Sequence, residues 1–208
     1  MGHSISGIYA LYYANRYGEE LEGVIGIDTS VPSMDQNIPK EMQTAEDMIP
    51  YIVRFKQKTG MLRLSLWLQR GNQGGNGELN CLSDSESKMR KWYMMCRWLN
   101  KTMMNEVKNT PNNMEKSSDL KFPGRIPVLF LLAERNTERI PGWEELHRNI
   151  IEERFFSHVE VFDGDHYLYH SKGKEIAEIA SKWVEKVKKE RKRGEHDYTA
   201  SGEDDDWR

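Results

Sequence analysis

The sequence predicts an α/β protein built on a parallel sheet, and two observations carry this prediction. Short apolar runs, rich in β-branched residues, occur at 23–28, 126–133 and 159–162. Between them lie segments whose apolar residues recur every three or four positions, the spacing of a helix with one buried face. A parallel strand is apolar on both faces and needs a crossover helix, so this order is typical of a parallel α/β sheet.

The N-terminal segment, 1–30, supplies the first turn, helix and strand of the predicted core. The helix is expected to end at Gly18, which follows its last apolar position. Its apolar stripe consists of Ile5, Ile8, Tyr9 and Tyr12. The strand at 23–28 (GVIGID) comes directly after it.

Residues 31–121 are predicted to form an inserted helical region, because no convincing strand interrupts their helical periodicity. We expect one helix to begin at Pro50, since proline is favoured in a first turn. Ser83 and Glu86 have the spacing of a capping box before another helix. The glycine-rich segment 71–77 (GNQGGNG) is expected to be a flexible connection.

The rest of the core is assigned to residues 122–190. It contains the strand at 126–133, a helix from about Trp143, the short strand at 159–162 and the loop that ends in His166. Beyond it, a basic run gives way to an acidic block, so 191–208 are predicted to form a disordered charged tail.

The charge, hydropathy and cysteine content of the chain argue against several classes of function. The net charge of -3 comes from 30 basic and 33 acidic residues, which leaves no overall field for nucleic acid. The most apolar run, 126–133, is far shorter than the roughly 18 residues of a membrane span. Two cysteines and no basic-then-apolar leader favour a reducing compartment. We therefore expect a cytoplasmic protein with no nucleic-acid partner and no membrane span.

Residues 2–7 (GHSISG) open directly into the first helix and carry the most informative pattern. A nucleophile on a sharp turn needs small neighbours, and Gly2 and Ser6 flank Ser4 at those positions. The pattern usually has glycine two residues after the serine, whereas here Ser6 precedes Gly7. A second interpretation stays open, in which Ser4 only caps the helix.

This turn, followed by helix, strand, helical insertion, strand and a histidine loop (DGDHYLYH), resembles the α/β-hydrolase family with a helical cap. The resemblance covers residues 1 to about 188. It implies a cofactor-free serine hydrolase that acts on a small-molecule acyl substrate through an acyl-enzyme. It also implies that Ser4 is the nucleophile, that His166 is the base, and that the backbone N–H of Ile5 is an oxyanion donor.

The catalytic acid departs from the family pattern. Family members usually place an aspartate near the position of Asn136, where this chain has an amide. Some members carry the acid at the end of the preceding strand, which here is Asp28. We favour Asp28, with Glu134 as the alternative. A non-catalytic interpretation has Asp28 capping the turn after its strand.

In the family, several strands precede the nucleophile turn, and none precedes it here. We therefore expect an N-terminally truncated hydrolase that is weakly active or inactive alone, with an unpaired edge on the strand at 23–28. A non-catalytic remnant or binding protein is the alternative. His166 and His170 have a spacing found in zinc sites, but a loop is a poor frame for a metal, so no metal is predicted.

Overall fold

A computed structural model describes residues 1–38, 40–68, 83–152 and 156–200 of the chain. Its four strands are β1 (Gly2–His3), β2 (Val24–Ile27), β3 (Val128–Ala133) and β4 (His158–Phe162). The helices are α1 (Ser6–Tyr17), α2 (Met34–Asn37), α3 (Lys40–Lys58), α4 (Met61–Leu68), α5 (Asp84–Cys96), α6 (Lys101–Lys116), α7 (Glu134–Arg139), α8 (Trp143–Asn149), α9 (Leu168–Ser171) and α10 (Gly173–Ala200).

The strands form one parallel sheet in the order β1-β2-β3-β4. Gly26 of β2 is paired with Gly2 of β1 on one side and with Phe130 of β3 on the other. The two central strands, β2 and β3, are buried at every position. The prediction of a parallel α/β sheet is therefore confirmed.

Alternate residues of β3 pack into two separate cores, one on each face of the sheet. Val128, Phe130 and Leu132 belong to one cluster, which includes Leu11 of α1 and Trp143 of α8. The other positions of β3 face a second cluster with Ile176 and Ala180 of α10; they are Leu129, Leu131 and Ala133. Both faces being covered explains why the sequence of β3 is continuously apolar rather than alternating.

The described helices between β2 and β3 are α2 to α6. The capping box at the start of α5 is present, with the Ser83 side chain accepting from the Glu86 N–H and the Glu86 side chain accepting from the Ser83 N–H. Pro50, however, lies inside α3. The prediction that a helix begins there is wrong, because the preceding residues from Lys40 are good helix formers. The predicted flexible segment 71–77 lies outside the described residues.

Two further differences concern the edges of the molecule. The last helix, α10, continues to Ala200 and so extends past Arg191, where the sequence predicted that a disordered tail begins; 201–208 lie outside the described residues. Lysine, arginine and glutamate have high helix propensity, which allows the helix to continue without apolar anchors. The edge of β2 is not wholly unpaired either, because β1 pairs with Gly26 and Ile27.

In the part of the chain that the structure covers, no helix combines the length and the apolar character that crossing a membrane would require.

Candidate active site

The three residues of the proposed triad all follow strands of the sheet. Ser4 comes directly after β1, Asp28 directly after β2, and His166 lies in the loop after β4. The carboxyl ends of parallel strands meet at one edge of a sheet, the usual place for sites in this class of fold. The topology therefore brings all three residues to the same edge.

The Ser4 backbone has the left-handed conformation, with φ 57°. Its carbonyl oxygen accepts hydrogen bonds from the N–H of Gly7 at 3.1 Å and from the N–H of Ser30 at 2.9 Å. A non-glycine residue with positive φ costs energy and persists only where the surroundings impose it. The chain therefore turns sharply at Ser4, and the loop after β2 holds the turn.

Close packing explains the small residues on both sides of this turn. A Cβ atom at Gly2 would meet the Ser6 Oγ, which donates to the His3 carbonyl at 2.7 Å. A Cβ atom at Gly7 would meet the Ser30 carbonyl oxygen and come within 2.6 Å of the Thr29 Cβ. The departure from the usual pattern is accommodated because Ser6 uses its hydroxyl to fasten the turn.

The Ser4 side chain does not cap the helix. The N-cap of α1 is Ile5, and no side-chain hydrogen bond caps that end. Within the described residues, neither the Ser4 hydroxyl nor the Ile5 N–H has a hydrogen-bond partner. The half-buried hydroxyl and the N–H at the start of α1 are thus both free to meet a ligand.

Asp28 is the most highly coordinated carboxylate of the site. It is 1% exposed, and its backbone also has a positive φ of 43°. Its Oδ1 accepts from the Ala133 N–H at 3.0 Å and from the Trp143 Nε1–H at 3.2 Å. Its Oδ2 accepts from the Asn136 amide at 2.5 Å and is 2.7 Å from the His166 Nδ1. Four donors satisfy a carboxylate that would otherwise be costly to bury.

These contacts distinguish the two residues considered for the acid. Asp28 directs its side chain to β3, α7, α8 and His166 rather than to the turn that follows its own strand. Glu134 is exposed at the start of α7, and its carboxylate has no hydrogen bond to His166 among the described contacts. Asn136, at the position usual for the acid, donates to Asp28 and not to the imidazole.

His166 is fixed from two directions. Its Nδ1 donates to Asp28, which leaves Nε2 for a second partner, and its side chain is 34% exposed. His3 lies against it, with ring centroids 4.5 Å apart, and the His3 Nε2 donates to the His166 carbonyl oxygen at 2.9 Å. Burial lowers the pKa of His3, so that its ring is neutral at neutral pH.

The sequence did not reveal the roles of His3 and Trp143. The position of His3 beside Ser4 was visible, but its contact with a residue 163 positions away was not. The Trp143 contact with Asp28 spans 115 positions and leaves no signal in the sequence. The position of Asn136 was recognised, yet its partner was not.

The structure gives no support to a metal at this edge. Among the described residues, no group of three or more histidine, cysteine, aspartate or glutamate side chains is placed to hold a metal ion. His170 lies in α9, the short helix that follows the His166 loop, and contacts the Tyr167 and Tyr169 rings.

No family model matches the chain. The chain is 26% identical over 198 residues to the uncharacterized protein YbdG of Bacillus subtilis (strain 168). The match covers 90% of this chain and 58% of that protein, so the chain spans less than two thirds of the relative's length.

Proposed function

We propose that this chain carries the catalytic residues of a serine hydrolase of the α/β-hydrolase type, acting on an ester, amide or related acyl bond. The observation that carries the proposal is the 2.7 Å contact between the buried Asp28 carboxylate and the His166 Nδ1. An aspartate in this position holds an imidazole in one tautomer and stabilises the imidazolium that forms during acyl transfer. Ser4, on a strained turn at the same sheet edge, is the nucleophile.

Each residue has a defined role in this mechanism. The Ser4 Oγ attacks the acyl carbon while the His166 Nε2 takes the hydroxyl proton. The negative oxygen that develops is stabilised by the Ile5 N–H at the start of α1. His166 then returns the proton to the leaving group, and water attacks the acyl-Ser4 ester in a second cycle of the same steps.

The helices between β2 and β3 are proposed as the cap of this site. In chain order they stand between two neighbouring strands of the sheet, as the cap does in the family that the sequence resembles. A small-molecule acyl substrate and a cytoplasmic setting are part of the same proposal.

Covalent labelling with a fluorophosphonate probe tests the nucleophile directly. The unmodified chain is expected to form one adduct at Ser4, found by mass spectrometry of the digested protein. Ser4→Ala is expected to abolish the adduct, and Ser181→Ala serves as the control because Ser181 is an exposed serine of α10. Labelling that persists in Ser4→Ala, or no labelling of a folded unmodified chain, contradicts the proposal.

The identity of the acid is tested by comparing Asp28→Asn with Glu134→Gln. Loss of a triad aspartate lowers turnover by about 10⁴-fold where the site is otherwise intact. We expect the Asp28 variant to show a loss of this order in hydrolysis of a short-chain p-nitrophenyl ester or in the rate of probe labelling. Exposed Glu134 is expected to be replaceable without effect. A large loss of activity in Glu134→Gln and none in Asp28→Asn would show that Glu134 is the catalytic acid.

A non-catalytic binding protein is the second candidate function. The Ser4 hydroxyl has no hydrogen bond to His166 among the described contacts, which favours this candidate. Apo enzymes often have long or misaligned catalytic hydrogen bonds, so this observation weighs less than the Asp28 contact. The labelling experiment decides between the two, since a binding protein leaves the probe unreacted.

A further inference from the structure

A cavity of about 800 Å³ lies between α3 and α6, within the helical region rather than at the carboxyl edge of the sheet. Its size is within the usual range for small-molecule sites, about 300–1,000 Å³. The side chains that line it include three large apolar groups, Tyr51, Phe55 and Met104, and four cations, Arg54, Lys58, Lys101 and Lys108.

No acidic side chain among the described residues is paired with any of the four cations. None of them forms a salt bridge within the part of the chain that the structure describes, and the lining contains no carboxylate. The chain as a whole has a net charge of -3, so this concentration of positive charge is local. Unpaired cations that share a concave, partly apolar surface attract an anion more strongly than separate surface lysines do.

The apolar side of the cavity is accessible. Tyr51 and Phe55 are one helical turn apart on α3, with exposed fractions of 44% and 62%. Met104 on α6 is buried and forms part of the opposite wall. An alkyl chain placed against these side chains would bury apolar surface on both partners, at about 25 cal/mol per Å².

Hydrogen bonds position the α3 wall before any ligand arrives. The Gln57 amide donates to the carbonyl oxygens of Met94 at 2.8 Å and Trp98 at 2.9 Å, and Arg54 donates to the Leu99 carbonyl. These bonds join α3 to the last turn of α5 and to the segment that leads from α5 into α6. A preformed cavity loses less entropy on binding than one that must assemble around its ligand.

We propose that this cavity binds a single-chain amphiphile with an anionic head group. The head, a carboxylate or a phosphate, is bound by Lys58, Lys101 and Lys108, and the alkyl chain packs on Tyr51 and Phe55. This site stands on its own contacts and does not depend on the chemistry proposed for Ser4.

Isothermal titration of the full chain with octyl phosphate and with octanoate, below their micelle concentrations, tests the proposal. We expect one ligand to bind per chain. The ligand that binds more tightly shows whether the site prefers a phosphate or a carboxylate head group. Octyl glucoside, octyltrimethylammonium and inorganic phosphate are the comparison ligands. Each is expected to bind at least about tenfold more weakly, because each lacks either the negative charge or the chain. Equal binding of octyl glucoside, or of inorganic phosphate, would overturn the proposal.

Charge reversal locates the site. Lys101→Glu with Lys108→Glu places two carboxylates on the cavity wall and is expected to weaken octyl phosphate binding at least about tenfold. The matched control is Lys182→Glu with Lys189→Glu, which makes the same change at the same spacing at two exposed positions of α10. Phe55→Ser is expected to weaken binding of both octyl ligands, with the fold checked by circular dichroism.

Three outcomes would contradict the site. In the first, the α10 control weakens octyl phosphate binding as much as the cavity variant does. In the second, neither the lysine variant nor Phe55→Ser changes the binding. In the third, the chain binds phosphatidylglycerol vesicles but does not bind monomeric octyl phosphate. The last result would assign the positive charge to a membrane surface instead of a cavity.

Discussion

Asp28 is the residue on which the geometry of the candidate site depends most, because its side chain contacts three other elements of the fold. Its carboxylate accepts from β3 through Ala133, from α7 through Asn136 and from α8 through Trp143, and it orients His166. Apart from the imidazole, two donors meet Oδ1 and one meets Oδ2, so the direction of the carboxylate is fixed before the imidazole is added. Such support decides whether a catalytic group is held within a fraction of an ångström of its working position.

Trp143→Phe removes one of these donors and keeps most of the ring. We expect the free energy of unfolding to fall by about 1–3 kcal/mol, the usual range for losing a hydrogen bond to a buried charged group. Turnover, or the rate of probe labelling at Ser4, is expected to fall as well, since Asp28 then holds His166 less firmly. Urea unfolding and labelling kinetics measure the two effects.

Trp183→Phe is the matched control for this variant. Trp183, on α10 and away from Asp28, also donates its Nε1–H to an oxygen, the Phe156 carbonyl at 2.6 Å. We expect the Trp183→Phe variant to have a lower free energy of unfolding and an unchanged rate of probe labelling at Ser4. Equal loss of labelling in the two variants would mean that Trp143 acts only through general stability.

At the scale of the elements, the sheet depends on a close approach between β2 and β3. Gly26 lies in β2, paired with Phe130, and a Cβ atom there would come within 2.7 Å of the Phe130 ring and 2.8 Å of the Thr29 Oγ1. Phe130 is itself 1% exposed, so it has no room to move aside. The glycine is therefore required by packing and not by a turn.

Gly26→Ala is expected to lower the free energy of unfolding by about 1–3 kcal/mol, the usual cost of overpacking a core. Gly173→Ala is the control, because a Cβ atom at that helix position meets nothing within 4 Å. We expect the control to change stability by less than about 0.5 kcal/mol or to raise it. Denaturant unfolding of the two variants checks the prediction; a well-tolerated Gly26→Ala would contradict the packing argument.

At the scale of the whole molecule, His147 links α8 to the segment after β2. It is fully buried, and its two ring nitrogens face the carbonyl oxygens of Trp143 at 2.8 Å and Thr29 at 2.9 Å. Burial lowers its pKa below the ordinary 6.5, although both carbonyls and the charge of Asp28 oppose that shift. The folded chain therefore holds His147 neutral at a pH where the unfolded chain protonates it.

The sign of the resulting pH dependence follows from this difference. Below about pH 6.5 the unfolded state binds more protons than the folded state, so stability falls as the pH falls, until the folded pKa is reached. We expect less stability at pH 5 than at pH 7.5, with a slope of up to about 1.4 kcal/mol per pH unit from this residue. His147→Gln keeps one amide donor and is expected to flatten the slope.

Urea unfolding of the chain and of His147→Gln across that pH range measures the effect. His3, whose pKa is also lowered by burial, contributes in the same direction, so a part of the slope is expected to remain in the variant. An identical slope in both proteins would exclude His147 as its source.

The extent of sequence-based prediction can be judged from particular residues. The apolar runs predicted β2 and β3 because burial on both faces leaves a local composition that few other structures share. β4 is only partly buried and was predicted from its short run rich in β-branched residues. The Ser4 turn was predicted from its small neighbours, and the capping box at Ser83 from a three-residue spacing. The prediction that Pro50 begins a helix was wrong, because neighbouring helix propensity outweighs a single boundary signal. The helix α10 extends further than its apolar positions indicated.

The sequence by itself determined the parallel α/β class and the position of Ser4 on a turn, since both depend on neighbours in the chain. It left the acid open between Asp28 and Glu134. Only the tertiary structure brought Asp28 to His166, 138 positions away, and placed Asn136 and Trp143 as its donors. The physical reason is that hydrogen bonds between distant segments depend on how strands and helices pack, and packing leaves no periodic signal in the residues that make those bonds.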